Sequence, residues 1–321
     1  MTSTPPREPL AGLRAGGKRA MAAALARIET APAEVETLAL LDAAYRHPSA
    51  HVIGLTGPPG VGKSTLLSRL LESLRGQRRT VGVLAIDPSS RRSGGALLGD
   101  RARLTVDPED QGVFVRSMAA RGWLGGLAAL TPAAMVLMRA VYDLVIVETV
   151  GVGQSETEVA SVADTVVLCI QPGSGDSLQY MKAGIAELPD IAVVTKADLG
   201  TLAEKAKNDL AAALALDPGR TEGWSVPVLL VSATTGSGLC DLCALLARHA
   251  AFLAAGRREA NRHAQAEAWL SAALREEFGR AGLARAARLE GGLHLTTGQF
   301  PFGRLHDLAR ALGSAWKGEG S

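Results

Sequence analysis

The sequence predicts an α/β chain with a mostly parallel, doubly wound sheet and helical extensions at both ends. Two observations carry this. Between His51 and Val231, short β-branched runs alternate with longer helical stretches, and the short runs are almost continuously apolar. Strands covered by helices on both faces have that composition. At 1–47 and 251–321, apolar residues instead recur at helical spacing.

Taken in order, residues 1–9 are polar and proline-rich. They are expected to lack regular structure, and without an apolar core segment they do not read as a signal peptide. Residues 10–46 are Ala- and Leu-rich and are interrupted at Gly16-Gly17 and Ala31-Pro32, which predicts two or three helices. Predicted strands follow at His51–Thr56, Thr80–Ile86, Val113–Arg116, Asp143–Glu148, Thr165–Ile170, Ile191–Thr195 and Val226–Val231. They belong to an α/β domain of roughly 200 residues. A helix begins after Gly236-Ser237-Gly238, with Leu239, Leu242, Cys243, Leu246, Ala250 and Leu253 on one stripe. A second is predicted from Arg258 to Phe278, with Trp269, Leu270, Ala273, Leu274 and Phe278 on one face. Gly291-Gly292 opens a loop, and Pro301 precedes a last helix near Leu305–Trp316. The expected division is a helical extension at 1–47, the α/β domain at 48–250 and a helical arm at 251–321.

Composition sets limits. Apolar residues make up 47% of the 321 and aromatic ones only 4%, so a sizeable core is expected and it should be aliphatic. Lys and Arg number 34 against 32 Asp and Glu, a net charge of +2. Bulk charge therefore gives no case for nucleic acid or an anionic membrane as main partner, and no basic run with interleaved aromatics supports a nucleic-acid reading. Three cysteines, Cys169, Cys240 and Cys243, do not make a disulfide framework; they fit a reducing cytosol, so a cytoplasmic location is expected. The longest uncharged run, Gly122 to Met138, contains Gly125, Gly126 and Pro132 and reads as core and loop rather than a spanning helix.

Gly57-Pro58-Pro59-Gly60-Val61-Gly62-Lys63-Ser64 matches G-x-x-x-x-G-K-[ST], follows a predicted strand and opens a helix at Thr65. Glycines let the backbone wrap a phosphate with its N–H groups pointing inward, and the helix start adds partial positive charge. Lys63 brings a point charge to the β- and γ-phosphates, and Ser64 offers a hydroxyl to Mg²⁺. The strand Asp143–Val147 ends in Glu148, the acidic partner a metal needs, and Gly151 follows with a backbone N–H for a γ-phosphate. Thr195-Lys196-Ala197-Asp198 resembles the guanine-reading [NT]-K-x-D element. The Asp198 carboxylate accepts from the two donors on guanine's Watson–Crick edge, and the Lys196 stem lies along the base. Ser232 and Ala233, after the last predicted strand, look like the fifth GTPase element, whose backbone meets the guanine carbonyl. GTP and GDP with Mg²⁺ are thus the expected ligands.

Between these elements lie Asp87-Pro88-Ser89-Ser90, Gly94 to Arg101, Leu124-Gly125-Gly126, Glu148 to Glu156, and Gly175 to Gln179 with Lys182. With the P-loop, they resemble the MeaB/ArgK family of P-loop GTPases, closely over about 50–200 and in layout elsewhere. The resemblance implies a G-protein chaperone for an adenosylcobalamin-dependent acyl-CoA mutase, chiefly methylmalonyl-CoA mutase, and a homodimer joined by C-terminal helices. It also implies roles. Asp87 and Asp100 stand near Mg²⁺ and the γ-phosphate on a first switch. Glu148 is the Walker B acid, and Gly151 to Glu156 form a second switch. Asp176, Gln179 and Lys182 belong to a third. The reacting set is then Lys63, Asp87, Asp100, Glu148 and Lys182. Plainer roles exist: Asp87 as a strand end, Asp176 as a helix cap.

The chain departs from the family pattern at Ser117 to Trp123, which lacks a proline-serine pair, and at Thr195, which replaces Asn. A hydroxyisobutyryl- or ethylmalonyl-CoA mutase is therefore an alternative partner. Val152 stands where Ras-like proteins hold a water-orienting Gln, so slow intrinsic turnover is expected, with Arg121 or Lys182 as candidates for the missing charge. Two rival classes are a nickel-type metal-insertion GTPase and a transport-system protein kinase. For the first, Cys240-x-x-Cys243 has no second Cys pair or close His cluster and reads as core cysteine. The six histidines read as scattered surface or core residues.

Overall fold

The computed structural model describes residues 9–87, 107, 109–119, 131–149, 159–173, 189–215, 223–296 and 298–318. Its elements group into two compact units. One holds the described parts of Met1–Ala50, Ala129–Val141 and Gly256–Ser321; the other holds those of His51–Ala128 and Tyr142–Ala255.

The second unit is built on a seven-stranded sheet. Its strands are β1 (His51–Thr56), β2 (Val81–Asp87), β3 (Val113–Ala119), β4 (Leu144–Thr149), β5 (Thr165–Ile170), β6 (Ile191–Val194) and β7 (Val228–Leu230), in the order β3-β2-β4-β1-β5-β6-β7. Every pairing is parallel, so the expected mostly parallel sheet is parallel throughout its described strands. Alternate residues face opposite layers, as the pleat requires. Val167, Cys169 and Val193 pack with Leu66, Leu67 and Leu70 of α4 (Lys63–Gly76) and Leu242 and Leu246 of α7 (Leu239–Phe252). Their neighbours Leu168, Ile170, Ala192 and Val194 pack with Ala203, Leu210 and Leu214 of α6 (Thr201–Leu214). β7 is shorter than its apolar run Val226–Val231. It is a half-exposed edge strand preceded by Pro227, which has no N–H to give a ladder.

At the opposite edge from the strand C-termini lies a buried polar chain. The Thr165 hydroxyl sits 2.7 Å from His51 Nε2 and 2.7 Å from His249 Nδ1. The outer ring nitrogens lie 3.6 Å from the carboxylates of Asp164 and Asp190. Each carboxylate also accepts a backbone N–H, from Val52 and Val166 respectively, at 2.8 Å. Trp224 covers the His249 ring at 4.6 Å between centroids and donates to the Asp190 carbonyl.

The helical unit combines α1 (Pro9–Ala15), α2 (Gly17–Thr30), α3 (Val35–Arg46), α5 (Thr131–Val141), α8 (Arg257–Ala286) and α9 (Pro301–Gly318). Three helices thus fill 10–46, with breaks at the predicted Gly16-Gly17 and Ala31-Pro32. The part of the uncharged run 122–138 that is described, 131–138, is helical within α5 and buried except at Pro132. The end of α5 is capped from two sides: Arg139 O accepts the N–H groups of Ser49 and Ala50 at 2.7 and 2.9 Å, and Ala140 O accepts Arg14 Nη2 at 2.8 Å. Such partners satisfy carbonyls that a helix end leaves open.

Leu270, Leu274, Leu308 and Leu312 form the core between α8 and α9, with Trp269 and Phe278 against it. The predicted helix 258–278 ends where the sequence places it only in part. Gly279 is non-helical (φ 69°, ψ −171°), and a further helical stretch continues to Ala286. The last helix starts at Pro301, four residues before the predicted Leu305, because proline suits a first helical turn. Among the described residues, no single helix is long and apolar enough to cross a membrane.

Candidate functional site

The sheet order brings the C-terminal ends of β1, β4, β6 and β7 to one edge. Ligands of open parallel sheets bind outside that edge. The segment between β1 and α4 needs its glycines. Gly57, Gly60 and Gly62 have φ of 132°, 77° and 96°. A Cβ on Gly57 would stand 2.0 Å from the Cys169 carbonyl oxygen of β5, a separation no side chain tolerates. Gly62 is the left-handed residue immediately before α4, whose first N–H groups have no partner within the helix.

Lys63 is buried, and its ammonium donates to the carbonyls of Gly57 at 2.6 Å and Pro58 at 2.8 Å. The Ser64 hydroxyl donates to Glu148 Oε1 at 2.6 Å. Glu148 is at the end of β4, where the register sets it beside Leu55 of β1. The predicted P-loop hydroxyl and strand-end acid therefore meet. A cavity of about 420 Å³ opens over them, lined by Pro59, Gly60, Gly62, Lys63, Ser64, Thr65, Ala85, Ile86, Glu148 and Thr149.

A second, smaller cavity of about 100 Å³ also borders Gly62 and Thr65, and is lined as well by Val61, Thr195, Lys196, Asp198, Val231 and Ala233. Asp198 is on a short 3-10 turn (Ala197–Leu199) after β6. It accepts the Ser232 hydroxyl at 2.5 Å, and that bond holds its carboxyl below the usual carboxylate range. Lys196, with a left-handed φ of 55°, extends its ammonium to Gln171 Oε1 at 2.5 Å and toward Gly60 O at 3.5 Å. The Thr195 hydroxyl lies 2.6 Å from Val61 O and 2.9 Å from Ile170 O. With one proton it donates to one of these at a time, where an Asn amide carries two.

The structure thus brings together Gly57, Gly60, Val61, Gly62, Lys63, Ser64, Thr65, Glu148, Thr195, Lys196, Asp198, Ser232 and Ala233. Asp87 closes β2 opposite Ala119; its side chain is outside the described part. Asp100, Gly151, Asp176, Gln179 and Lys182 lie outside the described residues. Three contributors were not read from the sequence. Ser232 acts through its hydroxyl, not only its backbone. Gln171 holds Lys196. Arg69 of α4 donates to Ala233 O at 2.9 Å, tying the helix to the loop after β7. A polar residue directly after a strand is the only sequence signal for Gln171, and Arg69 has none.

Cys240 and Cys243 are not the pair of core cysteines that their sequence position suggests. Cys169 is core, and burial pushes its thiol up to about 12. Cys243 is half-buried against the core, but Cys240 is exposed, because it lies one residue off the apolar stripe of α7. Among the described residues, no group of three or more His, Cys, Asp or Glu side chains is placed to hold a metal ion.

A family model described as methylmalonyl-CoA mutase-associated GTPase MeaB matches residues 20–286. A protein of Pyrococcus horikoshii carrying a GTPase name is 47% identical over 208 residues, 64% of this chain and 65% of the relative. The chain thus spans a little under two thirds of that relative's length. GTPase ArgK of Escherichia coli is 35% identical over 277 residues, 84% of each chain. Among solved structures, an LAO/AO transport system kinase superposes with a TM-score of 0.67 at 27% identity, over 98% of this chain and 99% of the other.

Proposed function

Because the chain belongs to the MeaB family of methylmalonyl-CoA mutase-associated GTPases, we propose that it is a guanine-nucleotide switch that gates and protects an adenosylcobalamin-dependent acyl-CoA mutase. The enzyme class is a P-loop GTPase, converting GTP and water to GDP and phosphate. One observation carries the nucleotide assignment: two adjoining cavities share Gly62 and Thr65, one walled by Lys63, Ser64 and Glu148, the other by Thr195, Lys196 and Asp198.

In this reading, the triphosphate lies in the larger cavity. Lys63 exchanges its two loop carbonyls for phosphate oxygens, and the N–H groups opening α4 face the same charge. Asp198, kept ionised by Ser232, accepts from the N1–H and N2–H donors of guanine, a pair adenine lacks. Ser64 and Glu148 are hard oxygen donors 2.6 Å apart, a set suited to Mg²⁺. Bound there, Mg²⁺ supplies charge neutralisation across the phosphates. Asp87 and Asp100 would complete the metal side, and Lys182 and Gly151 the γ-phosphate side. The mutase partner, a homodimer through the C-terminal arm and a cytoplasmic location rest on the family description and on the sequence pattern.

The test uses purified full chain. Titration with fluorescent GDP, competed by GTP and by ATP, should give a guanosine preference of at least two orders of magnitude, and Lys63→Ala should abolish binding. Equal competition by ATP overturns the base assignment. For the partner, the GTP-analogue-loaded protein is mixed with a purified adenosylcobalamin-dependent acyl-CoA mutase. A stable complex and faster GTP turnover support the switch; neither complex nor acceleration with any such mutase overturns it.

A further inference from the structure

Two thiols stand one helical turn apart where α7 leaves the loop that buttresses Asp198. We propose that Cys240 and Cys243 are a redox-active dithiol that closes to an intramolecular disulfide, and that closure loosens the hold of this loop on the guanine base.

The geometry favours closure at this place. Residues i and i+3 on a helix hold their Cβ atoms about 5–6 Å apart, and a disulfide needs roughly 3.5–4.5 Å. The difference requires a small local unwinding. Deep in a helix this would break ladder bonds on both sides, but the first N–H groups of a helix have no ladder partner. Cys240 is the second residue of α7, so the unwinding gives up the bond that closes its first turn, Leu242 N–H to Gly238 O at 3.0 Å, while the bond before it, Leu239 N–H to Gly236 O, is already long at 3.4 Å. C-x-x-C in an α/β setting is also the spacing of known dithiol redox motifs.

The two thiols have different surroundings. Cys240 is exposed and open to attack on a soluble oxidant. Cys243 is half-buried, with its sulfur 3.8 Å from the Ser73 hydroxyl of α4. Burial raises its thiol, and the Ser73 hydrogen bond opposes that rise. Cys240 is therefore the attacking sulfur and Cys243 the resolving one. The oxidant class is a low-molecular-weight disulfide, RSSR. The Cys240 thiolate attacks one sulfur, forming a mixed disulfide and releasing RS⁻. The Cys243 thiolate then attacks the Cys240 sulfur, closing the ring and releasing the second RS⁻. The two protein protons end on the two released thiols, so one RSSR is reduced for each disulfide formed.

The coupling follows from what precedes the helix and rests on the guanine-binding reading. The loop Ser232–Gly238 closes on itself through Ser232 N–H to Ser237 O and Gly236 N–H to Ser232 O, both 2.9 Å. Its Ser232 hydroxyl holds Asp198. Gly238 approaches β7 so closely that a Cβ would lie 2.1 Å from Leu230 O. Unwinding the first turn of α7 has no slack to absorb it at Gly238, so the displacement reaches Ser232.

The experiment uses reduced full-length protein, first loaded with fluorescent GDP to establish guanine binding, then exposed to oxidised glutathione. Remaining thiols are trapped with a maleimide and counted by mass after denaturation. Two of the three cysteines should be protected, with the mass lower by two hydrogens and Cys169 alkylated. Release of fluorescent GDP should quicken several-fold and recover with dithiothreitol. Cys240→Ser should show neither change. Three alkylated thiols, or a stable glutathione adduct on Cys240 beside a free Cys243, overturn the dithiol. A disulfide with an unchanged release rate overturns the coupling. Reduced protein that binds no guanine nucleotide overturns the coupling too, while the thiol count still decides the dithiol.

Discussion

Thr165→Val tests the buried polar chain at the end of the sheet opposite the strand C-termini. Valine keeps the shape and removes one oxygen. That oxygen is 2.7 Å from both His51 Nε2 and His249 Nδ1, so it is the hydrogen-bond partner the two rings share. Thr165 and His249 are fully buried and His51 is 7% exposed, so water does not readily replace the lost partner. Each stranded ring nitrogen costs about 1–3 kcal/mol, or roughly 2–6 kcal/mol for the pair. Removing the threonine's own desolvation returns about 1 kcal/mol, leaving about 1–5 kcal/mol. Urea unfolding followed by tryptophan fluorescence is the assay, since Trp224 lies on the His249 ring. With a slope of ~3 kcal/mol/M, the midpoint should fall by roughly 0.3–1.7 M. Thr165→Ser, which keeps the hydroxyl, should recover most of the loss. A valine variant unfolding with wild-type midpoint, or a serine variant no better than valine, refutes the view that this oxygen joins the two rings.

Three further outcomes concern the nucleotide edge. Gly57→Ala should lose at least ~2 kcal/mol of stability together with nucleotide binding, from overpacking and a disallowed φ; a folded, nucleotide-competent variant in thermal melts and GDP titration contradicts this. Ser232→Ala removes the hydrogen bond that depresses Asp198. With Asp198 as the proposed base reader, guanine affinity should be present while its carboxylate is ionised and be lost as pH falls through its folded pKa. The variant should therefore begin losing GDP at a higher pH than wild type, and coincident pH profiles exclude the link. Thr195→Asn supplies two amide protons to Val61 O and Ile170 O, where threonine supplies one. GDP dissociation should slow by several-fold in stopped flow; an unchanged or faster rate means Thr195 already satisfies both acceptors.

Local signals were enough to read the glycine-rich turn after β1 and the sheet. Gly57, Gly60 and Gly62 are forced by positive φ, and the near-continuous apolar runs announced strands buried on both faces, as Val167 and Cys169 in one layer and Leu168 in the other are. Contacts between residues distant in sequence were not legible. His51 and His249 read as scattered because nothing local tells that Thr165 stands between them. The grouping of both chain ends with α5 in one unit depends on residues distant in sequence meeting: Tyr45 packs on the cluster of Leu270 and Leu274, and Arg262 Nη2 donates to Ala50 O (2.7 Å, 212 residues apart). Ser232 was found for its backbone and missed for its hydroxyl, since the same motif position permits either.

Arg69 gives α4 a second duty. The helix begins at Lys63, and less than two turns later its side chain clasps Ala233 O. In the proposed nucleotide site, a single rigid rod therefore touches both the cavity assigned to the phosphates and the rim assigned to the base, and it sets the spacing between them like a ruler. Tilting that rod slackens both ends in the same movement. Nucleotide should depart as one body, with the head and tail let go together rather than in turn.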